Sequence, residues 1–425
     1  MANTPTISNS FQELKEYYDN ILNKDRSTYK TSNDEPTPIE CIEEMMNKIP
    51  EELWERKDLK ILDPCCGNGN FHVPIYFKLL QKQKSKHIIS NILYFNDINK
   101  ERLENVEHVF SVRGIQPNIT SLDFLEEFET TIKYDLVVAN PPYAKLLENG
   151  KRASKNHNLI KDFLKKALEL VKPNGYIMFI TPDNWMSYAD RNTLIELITS
   201  MQIIHLDIHN AKKYFKKIGS SFTWYIIQNC NAYKPISISG TWKKTQYQDV
   251  VSSKPRKYIP LLYNSTVESI LQKTVDSSCE KFKVETSSDL HKYTKRNLIS
   301  NEQDEEHAHR LIHTPSQTVY ASRPHKYQQG YKVFISTTNT YSTFVDNCGM
   351  TQSIAFIRCK NQEEANRIKQ VLDHPLYVFI NNICRWGNFN NIRILQHFPI
   401  PNDPKNIFDS FGITEKEIKY INENL

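Results

Sequence analysis

Tyr134-Asp135-Leu136-Val137-Val138-Ala139-Asn140-Pro141-Pro142-Tyr143 is the stretch on which the reading of this chain turns. Its first six residues form a short run with β-branched Val137 and Val138, nearly uninterrupted in apolar character, the pattern of a buried strand. Two prolines then stop the strand and stiffen the turn that leaves it. Residues 140–143 therefore stand at the carboxyl end of a buried strand, where open α/β sheets bind their ligands. A rigid turn with one carboxamide and one phenol suits a flat, amine-bearing substrate. The side-chain oxygen of Asn140 and the carbonyl of Pro141 can each accept a hydrogen bond from an exocyclic amino group. Tyr143 can stack on the ring. The bland alternative is an ordinary strand exit, and the upstream sequence weighs against it.

About eighty residues upstream, Leu59-Lys60-Ile61-Leu62 reads as another buried strand. It runs into Asp63-Pro64-Cys65-Cys66-Gly67-Asn68-Gly69-Asn70-Phe71, and a helix-like apolar pattern follows over 71–80. Strand, Gly-x-Gly loop and helix is the arrangement that lets backbone approach a nucleotide cofactor closely. Phe71-His72 occupies the region where a dinucleotide fingerprint has its third glycine, which points to a cofactor without a pyrophosphate. A third strand, Asn91-Ile92-Leu93-Tyr94-Phe95, ends at Asn96-Asp97-Ile98. An acidic residue there is placed to hold ribose hydroxyls. Ser121-Leu122-Asp123-Phe124 follows a short β-like stretch, and a carboxylate beside an aromatic can read and cover an adenine. Taken singly, Asp97 is explained by a turn and Asp123 by a helix N-cap. Four such features in order at strand ends make coincidence a poor account.

The order and wording of these motifs resemble the S-adenosylmethionine-dependent amino-methyltransferases of DNA, specifically the N6-adenine enzymes. The loop with Asp63, Cys65, Gly67 and Gly69 is similar to their first motif, Asp97 with Ile98 to the second, and Asp123-Phe124 to the third. Asn140-Pro141-Pro142-Tyr143 is similar to their catalytic fourth motif. Before the glycine loop, Asp34-Glu35-Pro36-Thr37-Pro38 precedes an amphipathic stretch over 41–49. Thr37 reads as its N-cap, with Pro38 at the first helical position. This resembles the Thr-Pro motif that closes over the methionine end of the cofactor, and its place ahead of the glycine loop is the order of the gamma class. The resemblance covers residues 28–230. It implies S-adenosyl-L-methionine as cofactor, double-stranded DNA as partner and an adenine flipped from the duplex as substrate. It further implies a base-stacking aromatic before the seventh strand, for which Phe215 is the best match and Tyr214 or Phe222 the alternatives.

The expected fold is α/β: a seven-stranded, mostly parallel sheet with helices on both faces, plus a C-terminal α+β target-recognition domain. Further strands are expected over 175–180, 203–208 and 222–227, with helices over 159–171 and 191–201. The sequence places the catalytic domain at 1–245 and the recognition domain at 260–425, joined by a polar, basic stretch. In the second domain the spacing predicts strands at 332–335 and 354–357 and helices at 362–372 and 376–383. Candidate DNA contacts there are Lys292, Lys295, Arg296, Arg323, Lys326 and Arg385. The four lysines around Phe215, Lys212, Lys213, Lys216 and Lys217, suit a nearby phosphate backbone.

Composition bounds the rest. The chain has 425 residues, with 54 Lys and Arg against 49 Asp and Glu. From residue 250 onward there are 22 basic and 18 acidic residues, so most of the net charge of +5 falls in the last part. That distribution is compatible with nucleic-acid contact. The eight cysteines are scattered without a C-x-x-C pair, which implies a reduced intracellular protein with no metal site. No signal peptide or membrane-spanning run is read, and about thirty residues before the Thr-Pro motif are too few for an N-terminal nuclease. A cognate endonuclease, where one exists, is expected to act as a separate protein. Two rival readings stay open: an RNA adenine or guanine N-methyltransferase, and a non-catalytic DNA-binding protein on the same fold.

Overall fold

A computed structural model of the chain describes residues 4–25, 27, 35–112, 114–143, 159–215 and 221–425. Asp34, Lys216 and Lys217 lie outside the described residues. The chain divides into two compact units, residues 1–185 with 193–256 and residues 186–192 with 257–425.

Apolar runs build the sheet of the first unit. Its strands are β1 (Ile61–Asp63), β2 (Leu93–Asn96), β3 (Asn118–Thr120), β4 (Tyr134–Ala139), β5 (Val171–Pro182), β6 (Met201–Ile208), β7 (Phe222–Asn231), β8 (Ile236–Trp242) and β9 (Thr245–Val251). Their spatial order is β3-β2-β1-β4-β5-β7-β6-β8-β9. Neighbours from β3 to β5 are parallel, β7 runs antiparallel to β5 and β6, and β9 runs antiparallel to β8. All six residues of β4 are buried, as its composition requires. Chain order reverses between β1 and β4, a topological switch point at which α/β sheets leave a crevice.

The sheet is mixed and nine-stranded, which corrects the expectation of seven mostly parallel strands. The two further strands form a hairpin over 236–251, where the sequence reading ended the domain. Lys243 and Lys244 turn it with φ of 45° and 71°. Two-residue hairpin turns need positive φ at both positions and favour Asn-Gly, so two lysines conceal the turn. β9 is a polar, half-exposed edge strand, and its residues read as linker.

Asp135 interrupts the apolar run of β4 near its amino end. Its carboxylate is 2% exposed and fully engaged. Arg56 Nη1 and Lys172 Nζ donate to it at 2.9 and 2.8 Å, and the Lys60 N–H at 2.9 Å. Helices His72–Leu80 and Lys100–Phe110 bring Val73, Val106 and Phe110 into one apolar cluster with Phe95 of β2.

The second unit is α+β. It holds β10 (Glu285–Thr286), β11 (Ile299–Ser300), β12 (His309–Thr314), β13 (Gln317–Ala321), β14 (Lys332–Ser336), β15 (Thr343–Asp346), β16 (Gly349–Met350) and β17 (Ile354–Arg358). They form two four-stranded sheets, ordered β10-β17-β14-β15 and β11-β13-β12-β16. Helices Gln362–Leu372 and Pro375–Cys384 follow. Residues 186–192 belong to this unit through specific bonds. The Ile259 N–H donates to the Met186 carbonyl at 2.9 Å, and Asn391 Nδ2 donates to Ser187 Oγ and the Tyr188 carbonyl. The Tyr188 ring stacks on Tyr258 at 5.3 Å, and Arg393 pairs with Asp190. Among the described residues, no helix is long and apolar enough to cross a membrane.

Candidate functional site

The site is built on the loops that leave the carboxyl ends of β1, β2 and β4. After β1 the chain turns through Gly67 and Gly69, with φ of 53° and 84°. Both values lie in the left-handed region that side chains disfavour. At Gly69 space is short as well, because a Cβ would come within 3.1 Å of the Phe110 ring and 3.3 Å of Val106. The loop is braced from β2. Gly67 N–H donates to Asp97 Oδ2 at 2.8 Å, and Asn99 N–H donates to Oδ1 at 2.8 Å. Asn96, fully buried, gathers three loops: its Nδ2 donates to the carbonyls of Pro64 and Leu122, and its Oδ1 accepts from Thr120 Oγ1.

A cleft opens beside this loop, lined among others by Thr37, Asp63, Cys65, Gly67, Arg102 and Asn140. Two of its polar atoms have no hydrogen-bond partner among the described residues: Asp63 Oδ2 and Thr37 Oγ1, in residues 1% and 2% exposed. Buried polar atoms are almost always satisfied, so two such atoms on one cleft mark a place for a ligand donor. Burial pushes the Asp63 carboxyl well above the usual carboxylate range, and only the Cys65 N–H, at 3.2 Å from Oδ1, opposes it. Thr37 is not the helix cap expected from sequence. The helix Ile39–Met46 has Pro38 at its N-cap and no side-chain cap bond. The Thr37 hydroxyl is thereby left for the cleft. Asn70 Nδ2 donates to the Thr37 carbonyl at 2.9 Å and ties that segment to the glycine loop.

Asn140 is clamped on both sides. Its Nδ2 donates to the Glu35 carbonyl at 3.0 Å, and its Oδ1 accepts from the Tyr143 hydroxyl. The carbonyl of Asn140 lies 3.6 Å from the Cys65 thiol, so cofactor loop and tetrapeptide touch. With Nδ2 fixed on Glu35, the amide oxygen is the atom offered to a substrate amine, with one lone pair left. The Tyr143 ring lies 6.1 Å from Phe222, which stacks on Phe215 at 4.6 Å. Phe222, not Phe215, is thus the ring beside Tyr143. Phe215 and Phe222 are each 3% exposed and both belong to the core cluster. Tyr214 donates its hydroxyl to Glu44 at 2.7 Å, and Lys213 pairs with the same carboxylate.

The remaining candidates separate. Asp123 accepts through Oδ1 from the N–H groups of Leu125 and Glu126 and so caps its own turn. Phe124 is buried against Phe128 and Phe163. Ile98 is 59% exposed. In the second unit, Arg323 forms a two-point pair with Asp289, and the Lys326 N–H and Lys295 Nζ also bond that residue. Lys292 and Arg296 lie on the same connection as Asp289, and Arg385 on another; Arg296 and Arg385 donate to the carbonyls of Tyr293 and Asn339. Sequence reading missed Asn96, Asn70 and Tyr18, whose hydroxyl donates to the Asn68 carbonyl at 2.8 Å. The run Asn68-Gly-Asn70 was a signal for the second, since asparagines beside glycines often brace turns. Tyr18 had none.

Residues 41–215 match the model of the Eco57I restriction-modification methylase family. The type II methyltransferase M.VspI of Vibrio sp. (strain 343) is 26% identical over 234 residues, covering 52% of this chain and 54% of that protein. An uncharacterized adenine-specific methylase of Mycoplasma pneumoniae is 25% identical over 335 residues, covering 57% of this chain and 78% of that one. The chain thus spans about half the length of M.VspI. The DrdV–DNA complex aligns with a TM-score of 0.59 at 12% identity, over 97% of this chain and 59% of that one, a likeness of fold. The fold is that of an α/β methyltransferase, and the chain is related in sequence to the methyltransferases of restriction-modification systems.

Proposed function

We propose that this protein is an S-adenosylmethionine-dependent DNA methyltransferase that modifies N6 of an adenine flipped out of the duplex, within a restriction-modification or self-marking system. The observation that carries the reading is the clamped Asn140 carboxamide beside a cleft with unsatisfied Asp63 and Thr37 oxygens. The residues present fit the cofactor. Asp63 and Thr37 would hold the ammonium at its methionine end, and Asp97 and the glycine loop its ribose. When bound, the cofactor supplies an electrophilic methyl group on a sulfonium sulfur.

The chain's own residues supply position and polarisation. Asn140 Oδ1 and the Pro141 carbonyl accept the two amino hydrogens of the adenine, which reduces delocalisation of the nitrogen lone pair into the ring. Tyr143 leaves its bond with Asn140 to lie on the base, and Phe222 backs it. Holding reactants in line and polarising one hydrogen-bonded group accounts for such catalysis without a charged base. Unstacking the adenine costs a few kcal/mol, so DNA contacts elsewhere on the protein must offset it.

The test is transfer of labelled methyl groups from S-adenosylmethionine to DNA from cells lacking adenine methylation, followed by nucleoside analysis. N6-methyladenine at a defined sequence is the expected product. Label in cytosine or only in RNA, or no label at all, would sink the reading.

A further inference from the structure

The glycine loop is backed by the helix Phe11–Tyr17, which no motif announced. Ser10 and Glu13 cap that helix reciprocally, side chain to backbone in both directions, so its start is satisfied locally. Phe11, Leu14 and Tyr18 recur at helical spacing and turn one face inward. The segment reaches three helices that begin beside the cleft. The Phe11 ring meets Phe77 of the helix His72–Leu80 at 5.2 Å. Ile7 N–H donates to the Val109 carbonyl of the helix Lys100–Phe110 at 2.8 Å. Lys15 Nζ pairs with Glu40, in the helix after Thr37, at 2.8 Å.

At its carboxyl end the helix widens. Asn23 N–H donates at 2.9 Å to the Tyr18 carbonyl, five residues back. A π turn of this kind is uncommon and recurs at functional positions. The Tyr18 ring is fully buried in the core cluster, and its hydroxyl donates to the Asn68 carbonyl at 2.8 Å. Burial pushes the phenol well above its usual range, so the group stays a donor. Asn68 lines the cleft and stands between the two left-handed glycines. Its other oxygen is taken as well: Oδ1 accepts from Asn105 Nδ2 at 3.1 Å. A stretch flanked by glycines has much conformational freedom to lose, and both oxygens of its middle residue are tied from outside the loop.

We propose that Tyr18 is a positioning residue for the cofactor: with Asn105 it fixes Asn68 from behind and holds the glycine loop in its binding shape before the ligand arrives. The helix Phe11–Tyr17 thereby belongs to the cofactor site, although it lies well ahead of every motif. A loop that is already ordered loses less entropy when a ligand binds it. Tyr18 touches no reacting atom, so its effect falls on affinity for the cofactor and not on the transfer step. The proposal rests on the S-adenosylmethionine reading of the cleft.

The experiment uses the full chain, with S-adenosylhomocysteine as the titrated ligand. Tyr18→Phe keeps the buried ring and removes only the hydroxyl. Affinity is expected to fall by about five- to tenfold, the effect of one lost hydrogen bond. The rate of methyl transfer at saturating S-adenosylmethionine should stay unchanged. In the free protein, amide exchange at residues 67–70 should quicken, and bound ligand should remove the difference. Tyr76→Phe is the control: it removes the bond from another buried phenol, to Ser85 Oγ at 2.7 Å, that does not touch the loop. It should lower the melting temperature and leave affinity alone. Asn105→Ala frees the other oxygen of Asn68 and should weaken binding in the same sense; it decides the matter if Tyr18→Phe does not fold. Wild-type affinity in a folded Tyr18→Phe, or equal loss in Tyr76→Phe, would overturn the proposal, while binding by the wild-type protein kept the broader reading. A slower transfer step with unchanged affinity would also overturn it. A wild-type protein that does not bind S-adenosylhomocysteine overturns both.

Discussion

Asp63 and Asp135 sit on neighbouring strands of one sheet, 1% and 2% exposed, and the fold treats them in opposite ways. Asp135, near the amino end of β4, receives two cations and a backbone N–H. Asp63, at the carboxyl end of β1, receives one N–H and keeps an oxygen unsatisfied. A buried carboxylate left partly bare is destabilising, and here it costs stability at the edge where chain order reverses. The contrast teaches how two buried carboxyls of one sheet can be sorted: the matched group holds the fold, and the unmatched one keeps an oxygen free to meet a ligand donor.

The largest effect should come from the carboxyl edge. Asn140→Ala is expected to lower methyl transfer by at least roughly 10²–10³-fold, the loss typical of one polarising contact, without shifting the melting temperature. Single-turnover rates and calorimetric scans check it, and near-normal turnover would remove the tetrapeptide from the chemistry. At the other edge, Asp135→Ala should leave turnover of the folded fraction alone and reduce stability by about 3 kcal/mol, because Arg56 and Lys172 lose their shared partner. The urea midpoint reports this; a small change would mean that solvent already serves those cations. Asp63→Asn should do the reverse, holding or raising stability while weakening cofactor binding. Asp97→Ala should weaken binding by about ten- to hundredfold through loss of charge-assisted hydrogen bonds. Titration calorimetry separates these two from Asp135→Ala, and wild-type affinity in both would dissolve the contrast.

The smallest effect concerns the interior between the edges. Burial holds His72 and His205 down at about 3, well below the ordinary histidine value. His205 is held neutral between the hydroxyls of Ser237 and Ser239, each at 2.9 Å. Both residues stay uncharged in the folded state while the unfolded chain takes up protons below about pH 6.5. Their contribution is therefore complete above that value and is lost as pH falls from about 6.5 toward about 3. Each pH unit in that window removes about 1.4 kcal/mol per histidine. Denaturant melts at pH 7.5 and 5.5 measure the slope, and replacing His205 with Gln should flatten it.

Much of the sheet was legible because its central strands are long enough for composition to speak. The runs expected at 175–180, 203–208 and 222–227 fall inside β5, β6 and β7. The glycine loop was legible because Gly67 and Gly69 adopt backbone angles that other residues resist. What escaped detection did so for physical reasons. The β8–β9 hairpin turns on two lysines, and β9 is too polar to resemble a strand. Thr37 has the chemistry of a cap, but the proline after it took that position and released the hydroxyl. Phe215, Tyr214 and Phe222 all have the chemistry of a stacking ring, and only tertiary packing shows that Phe222 contacts both Tyr143 and Phe215.

The seven residues 186–192 interrupt the first unit and belong to the second. The backbone therefore passes between the units three times, although a single linker near residue 256 would be the natural place to look. A laboratory graft or a recombination event that exchanged everything after that linker would carry across an incomplete module. It would lack the strip that pairs Tyr188 with Tyr258 and Asp190 with Arg393. Exchanging the second unit whole between such proteins thus needs two coordinated replacements, one of them only a few codons long. Trimming the chain at Lys244 is no cleaner, because it strips β9 from β8 and bares the edge of the sheet. Variation in the second unit is more readily pictured as point changes within its loops than as the exchange of a whole block.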